Sequence, residues 1–273
     1  MNPSERQNAI VQHLDTVGAC VYQDLARLLA VSEMTIRRDV DKLVRRGGVI
    51  KTLGGVQTAH APKHLFESPV EQRLSVHRPE KEQIARAALR EIQPHQTIFL
   101  DGSTTCLVLA RQLAKTLQGL TIVTHSALLC MELGQIGEHG HIVFALGGQF
   151  DPATACLVGP AAEEAARRFS VDIAFFSTKG FLPDEGTFES SIAAIRIKQI
   201  VAEHAARVVL LADHSKFGQR ALCQALGIEQ VHEVITDAGT AAADVATLER
   251  RGITVRVEPG NHLLAQEVLT DAS

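Results

Sequence analysis

Aromatic residues are scarce in this chain: they make up 4% of its 273 residues, with no tryptophan and one tyrosine. Single-stranded nucleic acids are bound on interleaved aromatic side chains that stack against the bases, so this composition argues against that class of protein. Hydrophobic residues reach 45% and charged residues 21%, which is the ordinary balance of a folded chain. The length predicts two domains, since it is long for one domain and short for three.

Closely spaced cysteines and long apolar runs are absent as well. The five cysteines lie far apart and include no Cys-x-x-Cys pair, so we expect neither a disulfide framework nor a metal site. No apolar run reaches the length of a membrane span, and the N-terminus lacks the pattern of a signal peptide. The sequence therefore favours a protein of the reducing cytoplasm with no membrane partner.

Acidic residues outnumber basic ones over the whole chain, which has a formal net charge of −4. The basic residues are nevertheless concentrated near the N-terminus. Residues 37–51 contain Arg37, Arg38, Lys42, Arg45, Arg46 and Lys51. Only Asp39 and Asp41 oppose them in this stretch. A local basic patch on an acidic chain is typical of a DNA-binding domain attached to a second domain, although a solvated helix face would carry the same charges.

Three short amphipathic segments open the chain and predict three helices: Pro3 to about Leu14, Tyr22 to Leu29, and Glu33 to about Arg45. Ser32 stands at the N-cap of the third helix, and Gly47 with Gly48 ends it. Residues 49–53 followed by Gly54 and Gly55 then predict a short hairpin, or wing. We therefore assign residues 1–58 to a winged helix-turn-helix domain that binds DNA.

The third helix separates an apolar face from a polar one. Ile36, Val40 and Leu43 share the face that would pack on the first two helices, and the opposite face offers donors to DNA. Predicted base contacts come from Ser32, Met34, Thr35 and Arg38. Predicted backbone contacts come from Arg37, Lys42 and Arg45, and Lys51 on the wing would touch the adjacent backbone or the minor groove. A three-helix packing unit with no DNA-binding role is the alternative.

Residues 59–78 contain two prolines, several charges and little periodicity, and we interpret them as a linker. Residues 79–273 alternate between strand and helix patterns, with continuous apolar strands such as residues 142–146. Such strands are typical of a buried, mostly parallel sheet. The predicted fold class is thus α/β, with a small helical domain before it.

Polar turns follow five of these predicted strands, at residues 101–105, 124–126, 147–148, 177–180 and 213–216. In open α/β sheets, ligands bind at the carboxyl ends of the strands, and helix N-termini there attract anions. A polar turn is more often only a helix cap, so it is the convergence of five turns that predicts a ligand site. Lys198 and Lys216 would supply positive charge, and Asp101 and Asp213 would accept hydrogen bonds from sugar hydroxyls.

The recognition helix carries a specific string, Val-Ser-Glu-Met-Thr-Ile-Arg-Arg-Asp-Val over residues 31–40, followed by Gly47 and a Gly-Gly wing. This string resembles the DeoR family of bacterial transcription regulators. Leu53 stands where the family usually has histidine before the two wing glycines. The resemblance implies a sequence-specific DNA-binding regulator.

The second domain is similar to the same family from about Glu67 to Asp237. The matching residues are Arg73, Glu80-Lys81, Ile84-Ala85, residues 101–105, residues 124–126, Gly147-Gly148, Asp172, Gly180, Lys198 and residues 213–218. The family's sensor domain resembles ribose-5-phosphate isomerase and binds phosphorylated sugars or their breakdown products. The implied effector-binding residues are Asp101, Gly102, Ser103, Thr104, Thr105, Thr124, His125, Ser126, Gly147, Gly148, Gly180, Lys198, Asp213 and Lys216.

Two departures from the family pattern bear on this site. His125 replaces a usual asparagine, and Ala194-Ile195 replaces a Glu-Ala pair four residues before Lys198. The missing carboxylate argues against isomerase chemistry, because proton transfer between adjacent carbons needs a positioned base.

The resemblance implies a repressor of a sugar-catabolism operon that is released from operator DNA by a sugar-phosphate effector and uses no cofactor. It would bind double-stranded DNA as a homodimer or homotetramer in a bacterial cytoplasm, associated with the nucleoid when bound. The alternatives are an activator of the same family, an isomerase-like enzyme with an appended DNA-binding domain, and a protein whose second domain only oligomerises.

Overall fold

The computed structural model describes residues 2–17, 19–52, 55–58, 70–134 and 140–259. The chain divides into two compact units, 1–66 and 67–273, and each is described by itself. Across the described residues, no helix combines the length and the apolar character needed to cross a membrane.

The N-terminal unit contains three helices and three short strands. The helices are α1 (Pro3–Val17), α2 (Tyr22–Leu28) and α3 (Glu33–Arg45). The strands are β1 (Ala19–Val21), β2 (Val49–Thr52) and β3 (Gly55–Thr58), in an antiparallel sheet of order β1-β3-β2. The predicted wing is therefore present, and β1 is a strand that the sequence did not predict. Leu53 and Gly54, which the sequence analysis assigned to the wing, lie outside the described residues.

The apolar face predicted for α3 is confirmed, because Ile36, Val40 and Leu43 are buried in the core of this unit. Gly55 shows why the wing needs glycine. A Cβ at this position would lie 2.5 Å from the carbonyl oxygen of Cys20, so only glycine lets β3 pair this closely with β1.

The C-terminal unit is built on a seven-stranded sheet in which every strand is parallel to its neighbours, in the order β15-β14-β12-β9-β4-β5-β6. Its strands are β4 (Thr97–Leu100), β5 (Thr121–Thr124), β6 (Ile142–Ala145), β9 (Val171–Phe176), β12 (Ala205–Leu211), β14 (Glu233–Asp237) and β15 (Thr254–Glu258). The predicted mixed α/β class with a parallel sheet is confirmed.

Helices cover both faces of this sheet. They are α4 (Val70–Ser75), α5 (Arg78–Leu89), α6 (Thr104–Leu113), α7 (Ala127–Gly134), α8 (Pro160–Ala166), α9 (Ile192–Glu203) and α10 (Ala242–Arg250). Helices α5, α6 and α7 bury their apolar residues in one core cluster, and α8 and α9 bury theirs in another. Helix α4 falls inside the stretch interpreted as linker, where Leu74 packs against the first cluster; residues 59–69 of that stretch lie outside the described residues.

Two small antiparallel groups of strands interrupt the alternation and were not predicted from the sequence. One is the hairpin of β7 (Gln149–Asp151) and β8 (Cys156–Val158). The other is a sheet of β10 (Gly180–Leu182), β11 (Gly186–Glu189) and β13 (Cys223–Gly227). These short strands bring Cys156 and Glu189 close to the ends of the parallel strands.

Candidate functional site

Helix α3 is held in place by its two ends. At the start, the Ser32 hydroxyl accepts a hydrogen bond from the backbone N–H of Thr35 at 3.2 Å, and the two hydroxyl oxygens lie 2.8 Å apart. At the end, Gly47 adopts a φ of 75° and its N–H bonds to the carbonyl of Val44. Capping side chains and a left-handed glycine define both ends of a helix, so the start and stop predicted from the sequence are the ones observed.

The outer face of α3 presents cations to solvent. Arg38, Lys42 and Arg45 are exposed, and none of these side chains makes a hydrogen bond or ion pair with another described residue. Met34, also predicted at the DNA, is 61% exposed. Contacts with phosphates and base edges require cationic side chains that are free to bond to DNA, and these three lie on one side of the helix without a partner among the described residues.

Two further predicted DNA-binding side chains are paired within the unit. Arg37 bonds to Glu33 at 2.7 Å and lies 4.7 Å from the centre of the Tyr22 ring. Lys51 on the wing pairs with Asp41 of α3. Both ion pairs are solvent-exposed, and such pairs contribute little to stability, so a phosphate could replace either carboxylate.

Asp39 is a structural residue of α3 that the sequence analysis did not single out. It is 2% exposed, and its carboxylate accepts hydrogen bonds from Arg6 at 2.6 Å and from Gln7 at 3.0 Å. Its position three residues after Ile36 placed it beside the apolar face, which is the signal that could have found it. This buried pair fixes α3 against α1.

The five polar turns of the C-terminal unit follow strands β12, β9, β4, β5 and β6, which are consecutive neighbours in the sheet. All the strands run parallel, so the turns lie along one edge of the sheet. The structure therefore brings together the segments that the sequence analysis assigned to the effector.

Asp101, Lys198 and Glu189 form a buried ionic group at the centre of this edge. Nζ of Lys198 lies 3.1 Å from Asp101, donates to the carbonyl of Ser177 at 2.6 Å and pairs with Glu189. Burial alone would lower the pKa of Lys198, but the charges of Glu189 and Asp101 outweigh it and raise that pKa. Asp101 also accepts the N–H groups of Ser103 at 3.0 Å and Ser177 at 2.9 Å.

The ammonium of Lys198 thus has a partner for each of its three N–H groups. From the sequence, Lys198 is expected to supply positive charge to the site, whereas in the structure two carboxylates surround its ammonium. Glu189 was missed because it comes from β11, a strand that the sequence did not predict, and it supplies a carboxylate beside Lys198 although Ala194 does not.

Hydroxyl groups along the edge hold the turns in shape. Thr124 donates to the carbonyl of Leu100 at 2.7 Å and accepts the N–H of Ser126 at 3.1 Å. The hydroxyl of Ser103 caps α6 by accepting the N–H of Cys106 at 3.1 Å, and that of Ser177 lies 3.4 Å from Thr105. Thr104 begins α6 and is buried. The helix caps considered in the sequence analysis are therefore present at this edge.

His125 is buried against Phe99, with the rings 5.8 Å apart and nearly parallel. Burial lowers its pKa to about 4, and the nearby charge of Asp101 only partly opposes this. Its Nδ1 atom has no hydrogen-bond partner among the described residues. A Cβ on Gly102 would lie 3.3 Å from His125 Nε2 and 2.1 Å from the sulfur of Cys156, so residue 102 must be glycine in this packing.

The remaining predicted residues follow strands β12, β9 and β6. Asp213 caps a short 3₁₀ turn by accepting the N–H of Ser215 at 3.1 Å, and Nζ of Lys216 lies 4.0 Å from its carboxylate. Gly180 packs against the backbone of Gln219. After β6, Gly148 has a φ of 133° and Gly147 faces open space.

Comparison with known proteins assigns both units. The family described as the DeoR C-terminal sensor domain matches residues 76–238, and that of the DeoR-like helix-turn-helix domain matches residues 6–61. The chain belongs to the DeoR family. It is a DNA-binding transcription regulator with a C-terminal domain for sensing a small-molecule effector.

Several DeoR-family regulators are similar over nearly their whole length. GlpR of Haloferax volcanii is 32% identical over 259 residues, which cover 93% of this chain and 98% of GlpR. The L-fucose operon activator of Escherichia coli is 30% identical over 242 residues, covering 89% and 98%. GolR of Listeria innocua is 30% identical over 258 residues, covering 94% and 99%. These relatives are transcription regulators and not enzymes, which removes the isomerase alternative.

Among solved structures, a D-ribose-5-phosphate isomerase in complex with phospho-erythronic acid has a TM-score of 0.38 and 15% identity. The match covers 50% of this DeoR-family chain and 52% of the isomerase chain. This likeness is slight and carries no information about chemistry.

Lys81 is a residue of this DeoR-family chain that the resemblance included but that was given no role. It lies near the start of α5, is 4% exposed and donates to the carbonyls of Arg73 at 2.5 Å and Val76 at 2.7 Å. Burial lowers its pKa to about 8, and the positive charge of Lys216 contributes. Within the described residues, no group of His, Cys, Asp and Glu is arranged to hold a metal ion.

Proposed function

We propose that this DeoR-family protein represses a sugar-catabolism operon and is released from its operator by a phosphorylated sugar. The observation that best supports a sugar-phosphate effector is the row of polar turns on five neighbouring strands. Buried carboxylates there suit sugar hydroxyls, and helix N-termini with lysines suit a phosphate.

DNA binding would use α3 and the wing, within a domain spanning residues 1–58. Ser32, Met34, Thr35 and Arg38 would contact base edges. Phosphates would be bound by the other predicted residues: Arg37, Lys42, Arg45 and Lys51. One winged helix buries too little surface for operator-level affinity, so we propose a homodimer or homotetramer on paired half-sites.

The effector would act through residues 79–273, connected to the DNA-binding domain by residues 59–78. Release requires that the effector bind one conformation of the protein more tightly than another, because a ligand shifts an equilibrium only by its differential affinity. The carbohydrate link gains support from the relative named L-fucose operon activator. Because that relative is named an activator, activation of the operon is the alternative to repression.

The test is fluorescence anisotropy of labelled DNA from upstream of the protein's own gene, at fixed salt, with a panel of sugar phosphates titrated in. Each phosphorylated sugar is paired with the same sugar without phosphate, so the effect of the phosphate is measured directly. Release by one phosphorylated compound, and not by its parent sugar, is the expected result.

Two other outcomes would correct the proposal. Tighter DNA binding on addition of a sugar phosphate would make the compound a co-repressor, or the protein an activator, and a reporter gene would separate these. Tight DNA binding that no phosphorylated sugar changes would overturn the assigned effector class while leaving the DNA-binding role intact.

A further inference from the structure

The two strands at the ends of the parallel sheet differ in the side chains that they present. At one end, β15 carries charged residues: Arg256 pairs with Glu233, and Glu258 pairs with Arg90. Charged residues on an edge strand are a usual protection against pairing with another chain. At the other end, β6 has the sequence Ile-Val-Phe-Ala over residues 142–145, with no charge and no proline. The β6 edge therefore lacks the protection that β15 has.

The backbone of β6 is open on its outer side. The N–H group of Ile142 bonds to the carbonyl of Leu120, just before β5, at 2.9 Å. Because backbone N–H groups alternate in direction along a strand, those of Val143 and Ala145 point away from β5. Among the described residues, no strand pairs with β6 on that side. An open row of backbone donors and acceptors is a template for a strand of another chain.

Two large apolar side chains of β6 are exposed on one face of the sheet. Ile142 is 58% exposed and Phe144 is 44% exposed. Side chains two residues apart in a strand lie on the same face. Phe144 packs against Phe169, just after α8, with the ring centres 5.3 Å apart, whereas Val143 packs on the other face against the cluster of α5, α6 and α7. Helix α8 therefore lies beside Ile142 and Phe144 but leaves both partly uncovered.

Helix α8 turns a side of small residues towards this edge. Its Glu163 lies 4.0 Å from Arg196 of α9, which places that side of α8 towards the middle of the sheet. At about 100° per residue, Ala161 and Ala165 fall on the opposite side of the helix. The strand and the helix thus share one apolar surface, which we call the β6 edge patch. It consists of Ile142, Phe144, Ala161, Ala165 and Phe169.

The charges beside the β6 edge patch favour a second copy of this chain as its partner. Acidic residues come first along α8, at Glu163 and Glu164, and basic residues follow at Arg167 and Arg168. Glu164 and Arg168 are the most exposed of these, at 60% and 75%. Two such helices lying antiparallel would place Glu164 of each copy opposite Arg168 of the other. A surface with this order of charges is complementary to itself, as a twofold interface requires.

We infer that two copies of this chain join at β6, antiparallel to each other, about a twofold axis perpendicular to the sheet. The sheet of one copy then continues into the sheet of the other. Ile142 and Phe144 of both copies pack between the two α8 helices. A twofold assembly also matches paired operator half-sites. The inference rests on the proposed homodimer or homotetramer and names the surface that forms it.

The first test measures self-association of the full-length protein by sedimentation velocity over a range of concentrations. Ile142→Glu puts a carboxylate into the β6 edge patch of both copies. Val257→Glu is the matched control, because Val257 is an exposed apolar residue on the opposite edge strand, β15. We expect Ile142→Glu to raise the dissociation constant on the order of a hundredfold and Val257→Glu to leave it unchanged.

Three results of this experiment would contradict the inference. They are an unchanged dissociation constant in Ile142→Glu, an equal rise in Ile142→Glu and Val257→Glu, and a wild type that stays monomeric at every concentration.

A pair of charge reversals tests the antiparallel arrangement without altering a buried side chain. Glu164→Arg puts positive charge at both positions of the pair, and Arg168→Glu puts negative charge at both. Each variant alone should associate about tenfold more weakly than the wild type, because like charges then face each other. An equimolar mixture should associate like the wild type, since each variant complements the other. A mixture that associates no better than either variant alone would overturn the inference.

These measurements separate the inference from the proposed function. If a sugar phosphate releases the oligomeric wild type from DNA while Ile142→Glu associates like the wild type, the proposed function stands and the inference fails. If Ile142→Glu dissociates and the charge-reversed variants associate only as a mixture, but no sugar phosphate changes DNA binding, the inference stands and the proposed effector fails.

Discussion

The two units use charge in opposite ways. On α3, Arg38, Lys42 and Arg45 extend into solvent and make no bond to a described residue. At the sheet edge of the C-terminal unit, Asp101 and Lys198 are almost fully buried and bonded to each other. The first arrangement keeps its cations available for any phosphate, and the second fixes its charges before a ligand arrives.

The difference fits what each surface is proposed to bind. Exposed cations remain hydrated and cost little to keep unpaired, but salt screens them and their contacts with DNA weaken as ionic strength rises. Buried charges resist screening, but each must have a partner because desolvation is expensive. Single substitutions at the proposed effector site should therefore change mainly the stability of the C-terminal unit, and single substitutions on the outer face of α3 should change mainly the affinity for DNA.

The largest effect is expected from Lys198→Met. Replacing Lys198 removes the cation that pairs with both Asp101 and Glu189, and breaking a buried ion pair in this way typically costs about 3–5 kcal/mol. Differential scanning calorimetry of the full-length protein should show the transition of the C-terminal unit lowered by on the order of 10 °C. A loss of unfolding free energy below about 1 kcal/mol would mean that the carboxylates reach solvent. The contrast between buried charge in the C-terminal unit and exposed charge on α3 would then be wrong.

Glu189→Gln is the matched control for that substitution. It keeps the size of the side chain and leaves Asp101 to balance Lys198, so the unit should lose less stability than in Lys198→Met. An equal loss in both variants would mean that packing at this position, and not charge balance, sets the stability.

A second prediction concerns pH, through His125. Its pKa falls from the usual 6.5 to about 4 because it is buried. The unfolded chain therefore binds more protons than the folded one between pH 6.5 and pH 4, and stability falls as the pH falls through this range. The loss of stability reaches about 3 kcal/mol at pH 4. Above pH 6.5 this loss is absent, and His125 then imposes no pH-dependent cost on folding.

His125→Asn isolates this contribution, because asparagine does not titrate. The melting temperature of the wild type should fall further than that of the variant as the pH is lowered from 7 towards 4.5. Parallel curves for the two proteins would mean that His125 reaches solvent and titrates normally.

Much of the DNA-binding unit could be predicted from the sequence, because local signals determine it. Helix α3 runs over the predicted residues, since Ser32 caps its start and Gly47 ends it. The parallel strands were also predictable, because they are continuous apolar runs. Their order in the sheet, and so the convergence of the five turns at neighbouring strand ends, comes from tertiary pairing and could only be expected in outline.

The partners of the buried charges could not be predicted, because they depend on short segments without a periodic signal. Glu189 reaches Lys198 from β11, a strand of four residues within a small antiparallel sheet. Lys81 is buried by α4, in a stretch whose composition resembles a linker. Strands and helices of this length gain their stability from packing and not from intrinsic propensity, so no sequence pattern predicts them.

The smallest effects are expected on α3, where two substitutions divide the DNA contacts by type. Arg38→Ala should remove about 1–3 kcal/mol of preference for the operator over random DNA, because a base contact distinguishes sequences. Lys42→Ala should weaken binding to both DNAs alike, because a phosphate contact does not distinguish one sequence from another. It should also reduce the slope of log affinity against log salt by about 1. Both variants should melt like the wild type, since neither side chain has a partner among the described residues. Anisotropy titrations at several salt concentrations measure both quantities. Equal losses of affinity for operator and random DNA in Arg38→Ala would show that Arg38 contacts the DNA backbone and not a base edge.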